Sequence, residues 1–247
     1  MAARRTTPGP RHRLARVLSK QGVCSRSEAA RWIMQGRVSV DGRIVRDPEF
    51  PIHGASAWIE VDGRALASTQ RCYLVLNKPR GLVTTARDEH GRGTVYDCLD
   101  GGGLPWVAPV GRLDKASEGL LLLSNDPEWA ARITDPASGP DKTYHVQVDC
   151  VPDAAALAGI GEGVVVEGER LRAKSIVLLR SGGKTAWLEV VLDEGRNRQI
   201  RRLLAAAGIG VLRLVRVRIG SLDLGTLPKG EWRELSREEA EALAAPA

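Results

Sequence analysis

The spacing of apolar residues changes along the chain, and each change marks an element. In RLARVLSKQ, residues 13–21, Leu14, Val17 and Leu18 recur at helical spacing until Gly22 breaks the pattern. Ser25 and Glu28 have capping-box spacing ahead of Ala29, Ala30, Ile33 and Met34, and Gly36 is placed to end that second helix. The period then shortens to two. Val38 and Val40 alternate with polar residues up to Asp41-Gly42, a dipeptide that favours a tight hairpin, and Asp62-Gly63 repeats it after Ile59-Glu60-Val61. Two short helices and a hairpin, with Arg26, Arg31, Arg37 and Arg43 interspersed, predict a small basic α/β module. Spacing alone leaves those arginines as either a solvated face or an RNA-binding one.

From about Tyr73 the texture is different. Tyr73–Leu76 reads as a short strand ended by the turn-rich Asn77-Lys78-Pro79-Arg80-Gly81, and Val83-Thr84-Thr85 as another extended piece. Leu120–Leu123 predicts a strand buried on both faces. Tyr144, Val146 and Val148 share one face of a further strand, and Ser175–Leu179 and Trp187–Leu192 add two more. Ile200, Leu203, Leu204 and Ala207 follow a helical stripe closed by Gly208, which places Arg198, Arg201 and Arg202 together on the opposite face. After a turn at residues 228–230 and a short strand around Trp232, Ser236 and Glu239 start a last helix. Many strands with few long helices between them predict an α+β fold, not a doubly wound sheet.

Composition narrows the function classes. The 247 residues suffice for one large core or for a small and a medium domain, and 43% hydrophobic with 27% charged residues is ordinary for a soluble chain. A net charge of +6 favours phosphate-rich partners. The purest apolar run, Leu120–Leu123, is far too short to cross a bilayer. The start, MAARRTTPGPRHR, has no apolar segment after it and is expected to be a disordered arm, not a secretory signal. Cys24, Cys72, Cys98 and Cys150 are scattered, with no C-x-x-C pair, and the four histidines do not cluster near them. Neither a metal site nor a disulfide framework is expected, and reduced thiols in the cytoplasm fit this usage. No phosphate-loop lysine follows Gly101-Gly102-Gly103, which argues against nucleotide binding there.

One stretch asks for chemistry. In GRLDKASEGLLLLSND, residues 111–126, Asp114 sits between Arg112 and Lys115 directly before the buried strand. An aspartate so placed is usually a turn residue balanced by its neighbours. Loops at strand ends are also where reactive groups are held. This stretch resembles the catalytic motif of the pseudouridine synthases. KTYHVQV resembles their second motif, DEGRNRQIRRLLAAAGIGVLRLVRVRIGSL their third, and NKPRGLVTT the loop that opens their catalytic domain. RLARVLSKQGVCSRSEAARWIMQGRVSVDGRIV resembles the S4 RNA-binding domain, and the order of motifs matches the RsuA branch. Ser117 stands where threonine is common and Pro127 where glycine often follows the Asn-Asp pair.

The resemblance implies an S4 domain over residues 12–68 and a mainly antiparallel, mixed-sheet catalytic domain over 71–240. It implies isomerisation of a uridine in ribosomal RNA, the large subunit being favoured, without metal or cofactor. The expected partner is ribosomal RNA or a ribosomal precursor particle, and the expected state a cytoplasmic monomer with no membrane contact. The alternatives are a transfer-RNA pseudouridine synthase, a non-catalytic RNA-binding or ribosome-assembly protein, and a nucleosidase releasing uracil. By the same resemblance Asp114 is the essential carboxylate, Tyr144 stacks on the uracil, and Arg201 is the guanidinium that orients Asp114, with Arg198 as second choice. Lys78 and Pro79 are expected in the pocket wall, and Leu212 or Val215 against the base. Arg13, Lys20, Ser25, Arg26, Arg31 and Arg37 in the front module, with Arg112, Lys142, Arg198 and Arg202 in the larger one, are the expected RNA contacts.

Overall fold

The computed structural model describes residues 12–52, 57–66, 70–86, 88 and 90–245, so the basic start before His12 lies outside the described residues. The chain divides into two compact units between Cys72 and Tyr73, with residues 104–108 grouping with the first.

The first unit contains β1 (His12–Arg13), α1 (Leu14–Lys20), α2 (Arg26–Met34), β2 (Val38–Val40), β3 (Arg43–Val45), β4 (Pro51–Ile52), β5 (Ile59–Val61) and β6 (Arg64–Ala65). Ser25 caps α2 by accepting from the Glu28 amide at 3.1 Å, while the Glu28 carboxylate pairs with Arg31. Strands β3-β2-β5-β6 form one sheet. Asp41-Gly42 and Asp62-Gly63 close its two tight hairpins, with φ between +50° and +76° at all four residues. That is the mirror-image turn whose twist suits paired strands. Leu14, Leu18, Ala29, Ile33, Val38 and Ile59 are the centre of its core.

The second unit contains β7 (Tyr73–Lys78), a 3-10 turn at Val95–Cys98, β8 (Ala108–Val110), β9 (Glu118–Ser124), α3 (Pro127–Thr134), β10 (Lys142–Val148), α4 (Ala154–Glu162), β11 (Val164–Val166), β12 (Glu169–Leu171), β13 (Ser175–Ser181), β14 (Ala186–Leu192), α5 (Gln199–Ala206), β15 (Val211–Ile219), β16 (Leu222–Asp223), β17 (Trp232–Glu234) and α6 (Arg237–Ala244). A nine-stranded sheet runs β13-β14-β10-β15-β9-β7-β17 along its main path. All of these pairs are antiparallel except β15 with β9. Leu120–Leu123 have no exposed surface, as a strand packed on both faces requires. Leu120 and Leu122 join Trp129 and Ile133 of α3 and Ala240 and Leu243 of α6 in one core, and the Trp129 indole donates to the Ala240 carbonyl at 2.7 Å.

Four sequence expectations change here. Strand β7 runs on through Asn77 and Lys78, both buried, where the sequence reads as a turn. Val83–Thr85 is not a strand; only an isolated bridge joins Val83 to Thr94. Arg198 precedes α5 in a left-handed conformation, with φ +48°, so it does not share the helical phase of Arg201 and Arg202. Ala207 is exposed beyond the helix end, and Ile209 is buried in its stead.

The parallel contact of β9 with β15 sets the geometry of the site. Glu118 faces Val215 and Gly119 faces Arg216 across it. A Cβ on Gly119 would lie 2.3 Å from the Arg216 carbonyl oxygen, and its φ of +99° is one that glycine tolerates. Gly119→Ala should therefore destabilise the protein by about 3 kcal/mol, the upper range for an overpacked core, as read from denaturant unfolding. A loss of under about 0.5 kcal/mol would mean the two strands can separate at little expense.

Candidate active site

Asp114 lies on the loop between β8 and β9, and the loop is held from below and from the side. Lys78, at the end of β7, is fully buried, and its ammonium donates to the carbonyls of Ser117 at 2.9 Å, Pro79 at 3.1 Å and Asp114 at 3.2 Å. Three donors meet three acceptors, so the charge is buried without an orphan proton. Burial nonetheless pushes the Lys78 pKa down to about 8, with Asp114 among the acids opposing the shift. The Thr84 hydroxyl donates to the Leu113 carbonyl at 2.7 Å, and the Ser117 amide to the Asp114 carbonyl at 2.9 Å.

With its backbone fixed, the Asp114 carboxylate borders a cleft of about 500 Å³, shared with Arg112, Lys142, Tyr144, Arg198, Arg201 and Arg216. Its ion pair is with Arg198, Nη1 to Oδ2 at 3.4 Å. The expectation that Arg201 makes this contact is corrected. Arg201 donates to the carbonyls of Ala116 at 3.4 Å and Val211 at 3.3 Å, tying the reactive loop to β15. The reason is the left-handed turn at Arg198, which swings that side chain towards Asp114 ahead of the helix. Burial and the neighbouring Arg198 both lower the Arg201 pKa, and Asp114 opposes them, so Arg201 still lies in the carboxylate's field. Tyr144, only 9% exposed, lies directly opposite Arg216 in the β10–β15 register.

Other expected residues fall elsewhere. Lys78 and Pro79 do not border the cleft; Lys78 lies beneath the loop. Leu212 is exposed and not part of the lining. Val215 pairs with His145 and Glu118, whereas Leu214 and Ile219 are the apolar β15 residues in the cleft. Arg202 turns away to the β11–β12 hairpin, pairing with Glu169 at 2.7 Å. In the first unit, Arg13 pairs with Glu49 at 2.9 Å and Arg37 with Asp62 at 2.6 Å, Arg31 pairs with Glu28, and the Ser25 hydroxyl serves its helix cap. Arg26 is exposed and Lys20 half-buried. Exposed pairs contribute about 0–1 kcal/mol, so these arginines can exchange a carboxylate for a phosphate. Among the described residues no cluster of three His, Cys, Asp or Glu can hold a metal, and no helix is long and apolar enough to cross a membrane.

Sequence reasoning overlooked Arg216, which is 5% exposed. A signal existed: it is an arginine two residues after Leu214, which strand alternation puts on the same face.

A family model described as RNA pseudouridylate synthase matches residues 72–206, and one described as S4 domain matches residues 12–57. The chain is 39% identical to an uncharacterised RNA pseudouridine synthase of Rickettsia prowazekii, over 92% of this chain and 95% of that protein. It is 36% identical to the ribosomal large subunit pseudouridine synthase B of Bacillus subtilis, over 94% of this chain and 96% of that protein. A crystal structure of a pseudouridylate synthase aligns with a TM-score of 0.64 at 31% identity, covering 94% of this chain and 99% of that one.

Because the Lys78 ammonium holds the Asp114 loop at the cleft, its loss should be visible in the rate. With a pKa of about 8, it is protonated at neutral pH and deprotonates as pH rises through that value. The single-turnover rate should fall on the alkaline side with a midpoint near 8. Lys78→Met should be slower at pH 7, by about tenfold or more, and flat through the same range. An unchanged alkaline limb in the variant would assign that limb to another group.

Proposed function

We propose that this chain, which belongs to the RNA pseudouridylate synthase family in its RsuA branch, converts a uridine of large-subunit ribosomal RNA to pseudouridine with Asp114 as the essential carboxylate. The observation that carries the reading is a carboxylate on an immobilised loop, paired with Arg198 and sharing a cleft with Tyr144. The reaction needs a group of that kind. Detaching uracil from ribose builds positive charge on the sugar, and a carboxylate can stabilise that charge or bond to it. Arg198 orients the carboxylate, and Arg201 holds the loop that bears it. The Tyr144 ring, packed on the strand that floors the cleft, offers a face for the base.

The target nucleotide has to leave its stack to reach the cleft, at a cost of a few kcal/mol that is smallest in unpaired RNA. Phosphate contacts offset that cost. Arg112 at the cleft and the S4 domain's exposed cations, Arg26 among them, are suited to supply them. The S4 domain and the likeness to the Bacillus subtilis large-subunit enzyme favour ribosomal RNA, free or in a precursor particle, over transfer RNA. The protein acts on this reading as a cytoplasmic monomer. An intact Asp114, Tyr144 and cleft favour an enzyme over a passive RNA-binding protein.

Asp114→Asn should lower pseudouridine formation by about 10³-fold or more while leaving RNA affinity within about threefold. Mapping pseudouridine in ribosomal RNA from cells with and without the gene should show one large-subunit position lost. Loss at a transfer-RNA position, or full activity in the variant, would sink the substrate or the mechanism respectively.

A further inference from the structure

At the β10–β15 end of the cleft, two cations border one cavity, and among the described residues neither has an ion-pair partner. Lys142 precedes Tyr144 by two residues on β10, and Arg216 faces Tyr144 from β15, so all three border the same cavity. The Arg216 Nε donates to the Leu120 carbonyl at 2.7 Å, which fixes the guanidinium plane. Its Nη2 is buried and has no hydrogen-bond partner among the described residues. Lys142 is half-buried, and its pKa is lowered by burial first and by Arg216 second, which places the two charges within reach of each other.

The acids nearby are already engaged. Asp141 and Asp193 are the carboxylates felt by Lys142, and they pair with Lys174 at 2.6 Å and Arg172 at 3.1 Å. Of the acids bordering the cleft, Asp114 pairs with Arg198 and Glu194 with Arg196 at 2.8 Å. Two adjacent cations withdrawn from water are unfavourable unless something negative completes them.

We propose that Lys142 and Arg216 donate to the carbonyl oxygens of the extruded uracil and stabilise the negative charge that collects on the ring between bond cleavage and rejoining. The inference rests on the reaction proposed above and adds two groups that touch the base. When the N1–C1′ bond breaks, its electron pair stays with the ring and spreads to O2 and O4. When the C5–C1′ bond forms, a ring pair makes it, the C5 proton leaves and N1 takes one up, so the product is an isomer. If the carboxylate instead adds to a ring carbon, an electron pair again moves onto a carbonyl oxygen. Either route places negative charge where pre-set donors in a water-poor cleft act most strongly. Asp114 and Arg198 then serve the sugar side, and Lys142 and Arg216 the base side.

The test uses the full chain and a large-subunit RNA transcript carrying either uridine or 5-fluorouridine at the target. Fluorine withdraws electron density, so a fluorinated ring needs less outside help to carry negative charge. Lys142→Met and Arg216→Gln should melt as cooperatively as the parent and bind RNA within about threefold of it. Their single-turnover rates of target consumption should fall by about 10²-fold or more on uridine, and by at least about tenfold less on 5-fluorouridine. Lys142 is the less buried of the two, so Lys142→Met decides the matter if Arg216→Gln fails to fold. Weaker RNA binding with an unchanged rate would assign the pair to a phosphate and overturn the proposal. An equal rate loss on both substrates would mean a purely structural role and overturn it too. If the parent chain makes no pseudouridine on any RNA, the reaction itself is wrong, and that failure is visible without either variant.

Discussion

The site depends on one buried ammonium. Lys78 carries a full charge into the interior at the end of β7, a position that would be strongly unfavourable if its three protons lacked acceptors. They find the carbonyls of Pro79, Asp114 and Ser117, two of which belong to the loop bearing the Asp114 carboxylate. The lysine thus spends its hydrogen bonds on backbone, not on the Asp114 side chain, which is left to the cleft. A methionine of similar length would fill the space but take one donor from each of three carbonyls, with the Ser117 amide still serving that of Asp114, and the loop would keep its path without its rigidity.

The rest of the second unit brings distant sequence segments to that loop. Strand β9 departs from the Asp114 loop and runs parallel to β15, and the close approach at Gly119 sets Arg216 beside it. Strand β10 lies on the other edge of β15 and places Tyr144 opposite Arg216. Helix α5 sits between β14 and β15 in the chain, so its start supplies Arg198 and its first turn Arg201. Three motifs far apart in sequence therefore meet through strand pairing, and each supplies a group to one cavity. On the opposite strand face, the buried Glu118 carboxylate is held by Arg213 and Lys229, which fixes the base of β9 just past the reactive loop.

Much of this was legible in the chain, for reasons of local chemistry. Asp41-Gly42 and Asp62-Gly63 specify their turns with little help from context, and Leu120–Leu123 cannot be anything but interior. Asp114, Tyr144 and the arginines around Gln199 could be singled out by resemblance, but the resemblance ranks the partner of Asp114 wrongly, with Arg201 ahead of Arg198. Arg198 was misplaced because helical phase was extended one residue too far, into a left-handed turn that periodicity does not encode. Lys78, expected in the pocket wall from a turn-rich stretch, lies beneath the Asp114 loop instead, and only the tertiary fold shows where its acceptors are. The β11–β12 hairpin was overlooked although Val164–Val166 and Glu167-Gly168 carry its signal, and with it the acids that draw Arg202 away. The resemblance points to Leu212 or Val215 without fixing which β15 side chains face the cleft. Strand alternation and the bulges in the β10–β15 ladder make Leu214, Arg216 and Ile219 the residues that reach the cleft.

The cations of the cleft differ in burial, and that difference sorts them by role. Arg198 is half exposed, and its pair with Asp114 is long, so the contact contributes about 0–1 kcal/mol and is easily exchanged. An incoming RNA phosphate can claim Arg198 without removing all positive charge from around Asp114, because Arg201 is tied to two backbone carbonyls and stays. Arg216 is more deeply fixed still, anchored through one nitrogen and shielded from bulk water, where a charge interaction is screened least. The gradient therefore runs from an exchangeable outer cation to an immovable inner one. Salt should weaken what the outer cations do for RNA binding far more than what the inner ones do for the bound ring. On the proposed reading, a cleft built this way gathers its substrate with interactions that are cheap to break and reserves the costly, pre-set ones for the atoms where charge changes.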